Sequence, residues 1–187
     1  MSLFRLAAFC AAPLIVAASD SVPAPADGDA APIYGVTIPA GYRDWQMISI
    51  ASVGAPQSDL RVKLGNDIAM RAYRSGTRPF PDGAIIARLA YKQATSERGN
   101  AVLGAAAAKQ GLPPDQVQKF LAGSFVAGAP TNVQFMVKDS KKYASTGGWG
   151  FAEFTNGKPD GEAVHRTCFS CHAPGKDRDF VFTDYAP

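Results

Sequence analysis

AIIARLAYK, residues 84–92, is the stretch on which the fold turns. Its β-branched and apolar residues read as an extended segment. Side chains alternate along a strand, so Ile86, Arg88, Ala90 and Lys92 face one side and Ile85, Ala87, Leu89 and Tyr91 the other. The preceding RPFPDG is a turn. Further upstream, LRVKLGNDIAMRAYRSG alternates through Leu60, Val62 and Leu64, then changes period at Asn66. Asn66 or Asp67 can cap a helix whose Ile68, Ala69, Ala72 and Tyr73 share a face, and Gly76 ends it. Earlier still, a turn at Pro39 to Gly41 and a helical turn at Tyr42 to Trp45 lead into a strand from Gln46 to Ser52.

Downstream of the opening stretch, residues 96–130 read as a helical insertion or lid with two helices, Ala101 to Gln110 and Pro114 to Ala122. Extended structure resumes in TNVQFMVKD, followed by a helical turn in DSKKYAS. In GGWGFAEFTNG, Trp149 and Phe151 fall on one face and Phe154 on the other, as an apolar wall or core. Strands outnumber helices and do not alternate with them regularly. The expected class is therefore α+β, mainly antiparallel sheet with a few short helices.

The N-terminus, MSLFRLAAFCAAPLIVAAS, has one basic residue, Arg5, then an apolar run from Leu6 to Ala18 closed by small residues. This predicts a signal peptide over residues 1–19 and hence a periplasmic location. The run is shorter than the roughly 20 residues of a spanning helix, so the mature protein is expected to be soluble. Cys10 precedes most of the apolar run, the wrong order for a lipoprotein signal, and is read as part of the discarded peptide. Residues 20–32, rich in Pro, Ala and Asp, read as a flexible linker, and 33–187 as a single domain. Cleavage removes one charge, Arg5, from a formal net charge of +3. The modest balance carries no nucleic-acid signature.

Two cysteines then remain, in TCFSCH at residues 167–172. Cys168, Cys171 and His172 form C-x-x-C-H, the attachment pattern for c-type haem. Its thiols are spaced for two vinyl groups, and its histidine can take an axial position on the iron. One covalent haem c is the expected cofactor. The rivals are a redox dithiol, which lacks a βαβ context, a zinc site recruiting His165, and a plain disulfide. Residues 173–187 contain neither Met nor His. A sixth ligand would have to be Met47, Met70, Met136 or His165. The methionines read more simply as core fillers and His165 as a loop residue. An open iron, suited to chemistry or gas binding, is the resulting expectation.

Several stretches together resemble the cytochrome P-460 family, which includes the beta-type cytochromes c-prime. They are IPAGYRDW, RPFPDGAIIARLAYK, VQFMVKDSKKYASTGGWGFAEF and CFSCHAPGKDRDFVFTDYAP. The resemblance implies an antiparallel sheet with a few helices, a homodimer and a five-coordinate haem. It also implies either hydroxylamine oxidation with a lysine-to-haem link, or binding of nitric oxide and similar ligands without one. The position matching that lysine is Arg88, whose guanidinium stays protonated and is a poor nucleophile. Lys92 shares its face but lies about 13 Å further along the strand. The distal glutamate of the hydroxylamine-oxidising members corresponds to Gln134, an amide that cannot accept protons as a carboxylate does.

Arg88 and Gln134 are the candidate distal-pocket residues. Arg88 would favour an anionic or polar iron ligand, and Gln134 would serve as an orientable donor. In their alternative roles, Arg88 pairs with a propionate or surface carboxylate and Gln134 joins a sheet hydrogen-bond network. Without a distal acid or base, the expectation is a cytochrome that binds a small gaseous or nitrogen-oxide ligand. The alternatives are an oxidoreductase acting on hydroxylamine or a related compound, and an electron-transfer cytochrome serving a redox partner protein.

Overall fold

The structure is a computed structural model that describes residues 29–186. The signal peptide, Cys10 and the linker as far as residue 28 lie outside the described residues. The folded body starts slightly earlier than the sequence predicts. Ala31, placed in the linker by composition, is buried, and its N–H donates to the Val36 carbonyl.

The core of the fold is one antiparallel sheet of six strands in chain order: β1 (Gln46–Val53), β2 (Asp59–Gly65), β3 (Ile85–Ala94), β4 (Val126–Lys138), β5 (Trp149–Thr155) and β6 (Lys158–Pro159). The α+β expectation holds. Asn66 decides the first change of direction. Its Oδ1 accepts from the N–H of Ala69, capping helix α1 (Asp67–Ser75), and also from the N–H of Ile85 at the start of β3. Its amide donates to the Gly83 carbonyl at 2.8 Å. One side chain thus ties a helix start to the neighbouring strand. Gly76, at φ 69°, ends α1 in the left-handed conformation that glycine adopts without a Cβ clash.

The alternation read in residues 84–92 sets two faces. Ala87 and Leu89 of β3 pack with Leu64, Val133, Phe135, Ala152 and Phe154 in one buried cluster. Ile86 points the other way, into a cluster with Ile48, Trp149, Phe151 and the buried residues of α1. Trp149 and Phe154 occupy opposite faces as expected.

Residues 96–130 contain the two expected helices, with different bounds for the first. Helix α2 (Glu97–Lys109) starts four residues before Ala101 because Ser96 Oγ accepts from the Gly99 N–H and caps it there. Helix α3 (Pro114–Ala122) has the predicted bounds. Residues 126–130 are already strand, since Ala94, Gln93 and Tyr91 pair with Val126, Ala127 and Pro130. The two helices cap the far end of a long β3–β4 hairpin. None of their residues lines the cavity beside the thiol and histidine motif.

The chain returns through helix α4 (Glu162–His172) and a 3-10 segment, Ala173–Arg178. What holds this return is a buried ion pair, Lys138 Nζ to Asp179 Oδ1 at 2.7 Å, with side chains 5% and 7% exposed. Lys138 Nζ also donates to the Gly147 carbonyl, and Asp179 Oδ2 accepts the Phe80 N–H. Both charges are therefore compensated where burial would otherwise be costly. Gly147 must lack a side chain, because a Cβ there would lie 2.0 Å from the Phe180 ring.

Lys138→Met leaves a buried carboxylate without its cation and should cost about 3–5 kcal/mol. Arg166→Ala, in an exposed pair with Glu162, should cost at most about 0.5 kcal/mol. Denaturant unfolding of both variants checks the contrast, and equal losses would mean that the buried pair does not anchor the return.

Candidate functional site

Between the β1–β5 face and the returning chain lies a cavity of about 580 Å³, within the roughly 300–1,000 Å³ usual for cofactor sites. The five residues singled out from sequence all line it: Arg88, Gln134, Cys168, Cys171 and His172. Ile86, Met136, Phe151, Val181 and Phe182 supply apolar wall.

The motif forms the last turn of α4. Helical spacing brings Cys168 and Cys171 one turn apart and sets Cys168 and His172 on neighbouring positions of one side. Cys168 is half-buried and Cys171 exposed, and both thiols are free. Burial, then the charges of Glu153 and Cys171, push the Cys168 thiol up to about 11.

His172 is held in one tautomer. Its Nδ1–H donates to the Phe180 carbonyl at 2.7 Å, which makes Nε2 the lone-pair nitrogen available to a metal. The ring lies against Phe151, with centroids 5.0 Å apart, and stacks on Phe182 at 4.6 Å. Burial lowers its pKa more than the Phe180 hydrogen bond raises it, so the neutral, ligating form persists below the ordinary imidazole range. The accepting carbonyl belongs to a residue at φ 63°, following Asp179 at φ 52°. A bulky residue pays about 1–3 kcal/mol for that conformation, and the buried Asp179 beside it holds it in place.

His165 corrects the sequence reading. It is fully buried in α4, not in a loop. Its Nε2 accepts the Glu153 N–H at 3.1 Å and its Nδ1 faces the Gly161 carbonyl at 3.1 Å. With both nitrogens engaged, it has no lone pair for zinc or a sixth iron position. Met47 is largely exposed and Met70 lies in the core, whereas Met136 lines the cavity. Trp149 is core, and of the expected aromatic wall it is Phe151 that reaches the site.

The opposite wall is a polar row that the sheet register assembles. Ser49 pairs with Lys63, Lys63 with Arg88, Arg88 with Gln134, and Gln134 with Glu153. All five line the cavity. Gln134 Nε2 donates to Glu153 Oε2 and Asn132 Nδ2 to Glu153 Oε1, each at 2.6 Å, while Arg88 Nη2 donates to Asn132 Oδ1 at 2.9 Å. Gln134 thus occupies both of its expected settings, sheet network and cavity wall.

Glu153 puts a carboxylate on the wall of a cavity for which the sequence led to no acid or base. The carboxylate absent at position 134 stands on the adjacent strand, in register with it. Its alternation with Trp149 and Phe151 was a signal for this, but only the β4–β5 pairing brings it against Gln134. Lys63 was likewise missed, and it sits directly opposite Arg88. Lys92, in contrast, does not line the cavity, and its Nζ faces the Gln57 carbonyl.

Paired thiols, a histidine with a single free nitrogen and a largely apolar cavity of this size suit a haem, and the class they define is a haem-binding cytochrome. The chain belongs to the cytochrome P460 family, whose model matches residues 39–183. Among curated proteins, none matches it.

In the haem-free chain under mildly alkaline conditions, an alkylating reagent should modify exposed Cys171 well before Cys168. Raising the pH towards about 11 ionises Cys168, and the difference should narrow, because the thiolate is the nucleophile. Peptide mass spectrometry over time reads both rates, and equal rates at the lower pH would contradict the burial of Cys168.

Proposed function

We propose that this chain is an exported, periplasmic cytochrome with one covalent haem c, which binds a small ligand such as nitric oxide at an open distal iron position. Cys168 and Cys171 are its thioether anchors and His172 Nε2 its axial ligand. The observation that carries the reading is the His172 Nδ1–H bond to the Phe180 carbonyl. It presents the other ring nitrogen as ligand beside both thiols of the motif. Export rests on the charged, apolar and small-residue order of positions 1–19.

The haem supplies an iron able to take a diatomic ligand and to exchange electrons. The protein's contribution is to orient His172, to enclose the group between Ile86, Phe151 and Phe182, and to face it with hydrogen-bond donors from Arg88 and Gln134.

A second reading, oxidation of hydroxylamine or a related nitrogen compound, is favoured by Glu153. Such a substrate loses protons as its electrons leave for a redox partner protein, and a carboxylate in the cavity can accept them. Gln134 and Asn132 hold both Glu153 oxygens in place for that task.

The haem-loaded protein should show a high-spin spectrum, a peptide containing both Cys168 and Cys171 bonded to one haem, and a spectral change on adding nitric oxide. Glu153→Gln separates the two readings. Nitric oxide affinity unchanged, with no hydroxylamine turnover in either protein, supports binding alone. Measurable turnover that falls by about 10²-fold or more in the variant makes oxidation the function. A low-spin spectrum lost in Met136→Leu would instead identify a sixth protein ligand and an electron-transfer role.

A further inference from the structure

The polar row is not evenly charged. Three carboxylates lie on or beside the cavity wall and each is engaged. Asp59 forms a two-point pair with Arg61, with Nε to Oδ1 at 3.0 Å and Nη2 to Oδ2 at 3.1 Å. Glu153 is held by the amides of Asn132 and Gln134, and Asp184 is paired with Arg178. Two cations have no carboxylate partner among the described residues. Arg88 spends one nitrogen on the Asn132 carbonyl oxygen, while its Nε–H is buried with no acceptor. The side chain of Lys63, in register with it on β2, has neither a hydrogen bond nor an ion pair among the described residues.

A buried donor without an acceptor costs about 1–3 kcal/mol, and two adjacent cations repel one another. An anion entering beside the two cations would offset their repulsion. Burial lowers the Lys63 pKa, with the Arg61 and Arg88 charges adding to the effect, and burial lowers that of Arg88 as well. The nearby carboxylates, Asp59 for both and Glu153 for Arg88, offset these shifts only in part.

We propose that Lys63 and Arg88 together form a binding site for an anion with two acceptor oxygens. The guanidinium and the ammonium would each donate to one oxygen, in the charge-assisted arrangement that favours carboxylates and small oxyanions. Two sources share this chemistry: a soluble oxyanion such as nitrite entering the distal space, and a propionate of the haem itself. Apolar residues at these positions would leave a neutral ligand the better fit, so the site extends the cavity's chemistry from uncharged gases to anions. The inference rests on the haem reading given above.

The test uses the haem-loaded full chain, with Lys63→Met and Arg88→Gln as charge-removing variants and Lys63→Arg and Arg88→Lys as charge-keeping ones. Nitrite and nitric oxide are titrated separately, followed by the haem absorption, and the midpoint potential is measured against pH. A soluble-anion site predicts nitrite affinity lowered about tenfold or more in each charge-removing variant, largely restored by the charge-keeping ones, with nitric oxide affinity unchanged in Lys63→Met and lowered less than nitrite affinity in Arg88→Gln. A propionate site predicts unchanged nitrite affinity, but a lower midpoint potential and a displaced pH dependence of that potential, again restored when the charge is kept. If the haem-loaded variants match the original in nitrite affinity and potential alike, the anion site is wrong and the haem reading stands. A chain that takes up no haem under conditions of haem attachment defeats both.

Discussion

A single buried ion pair, Lys138 to Asp179, joins the two parts of this molecule that must meet. Lys138 ends β4, and Asp179 belongs to the segment that follows the thiol and histidine motif. Without that contact the sheet would still be a sheet, and α4 would still be a helix. The Glu153 N–H bond to His165 would still join them, and what the pair adds is the placement of the segment after the motif. The pair also fixes the unusual backbone at Asp179 and Phe180, and so aims the Phe180 carbonyl at His172. Orientation of the His172 ring thereby depends on a lysine at the end of β4 that does not itself line the cavity. Buried charges are costly, and this pair is tolerable because Asp179 Oδ2 and the ammonium each have a further partner.

The sheet does two kinds of work with its two faces. One packs against the Leu64, Phe135 and Phe154 cluster, as an ordinary core. The other is divided in register. Ile86, Met136 and Phe151 form an apolar row near His172, and the next row is Lys63, Arg88, Gln134 and Glu153. Such rows arise because antiparallel pairing sets residues from successive strands opposite one another. A cavity bounded by an apolar row and a charged row can hold a flat apolar group while presenting donors and a carboxylate to whatever sits beside it.

Much of this was legible along the chain because local chemistry sufficed. Asn66 before a change of period, and Gly76 after it, marked a helix whose bounds depend on side-chain capping and a left-handed glycine. The alternation of residues 84–92 placed Arg88 and Leu89 on opposite faces, and it holds because a strand has a period of two. The motif at Cys168 to His172 was legible for the same reason, since its spacing is itself the chemistry. Where neighbours in sequence do not decide the matter, reading failed. His165 looks like a loop residue or spare ligand, yet the N–H of Glu153, on another element, takes its free nitrogen. The start of β4 at Val126 was hidden because its partners are the end of β3 across the helical hairpin.

The sequence by itself determined the class of fold, the thiol and histidine motif and the strand face on which Arg88 stands, since each depends on spacings of a few residues. Only the tertiary structure decided which charges share the cavity. Glu153 and Lys63 come to lie beside Gln134 and Arg88 through strand register, a relation between residues far apart along the chain. A carboxylate missing from one position was present on the next strand, because a cavity wall is defined by proximity in space.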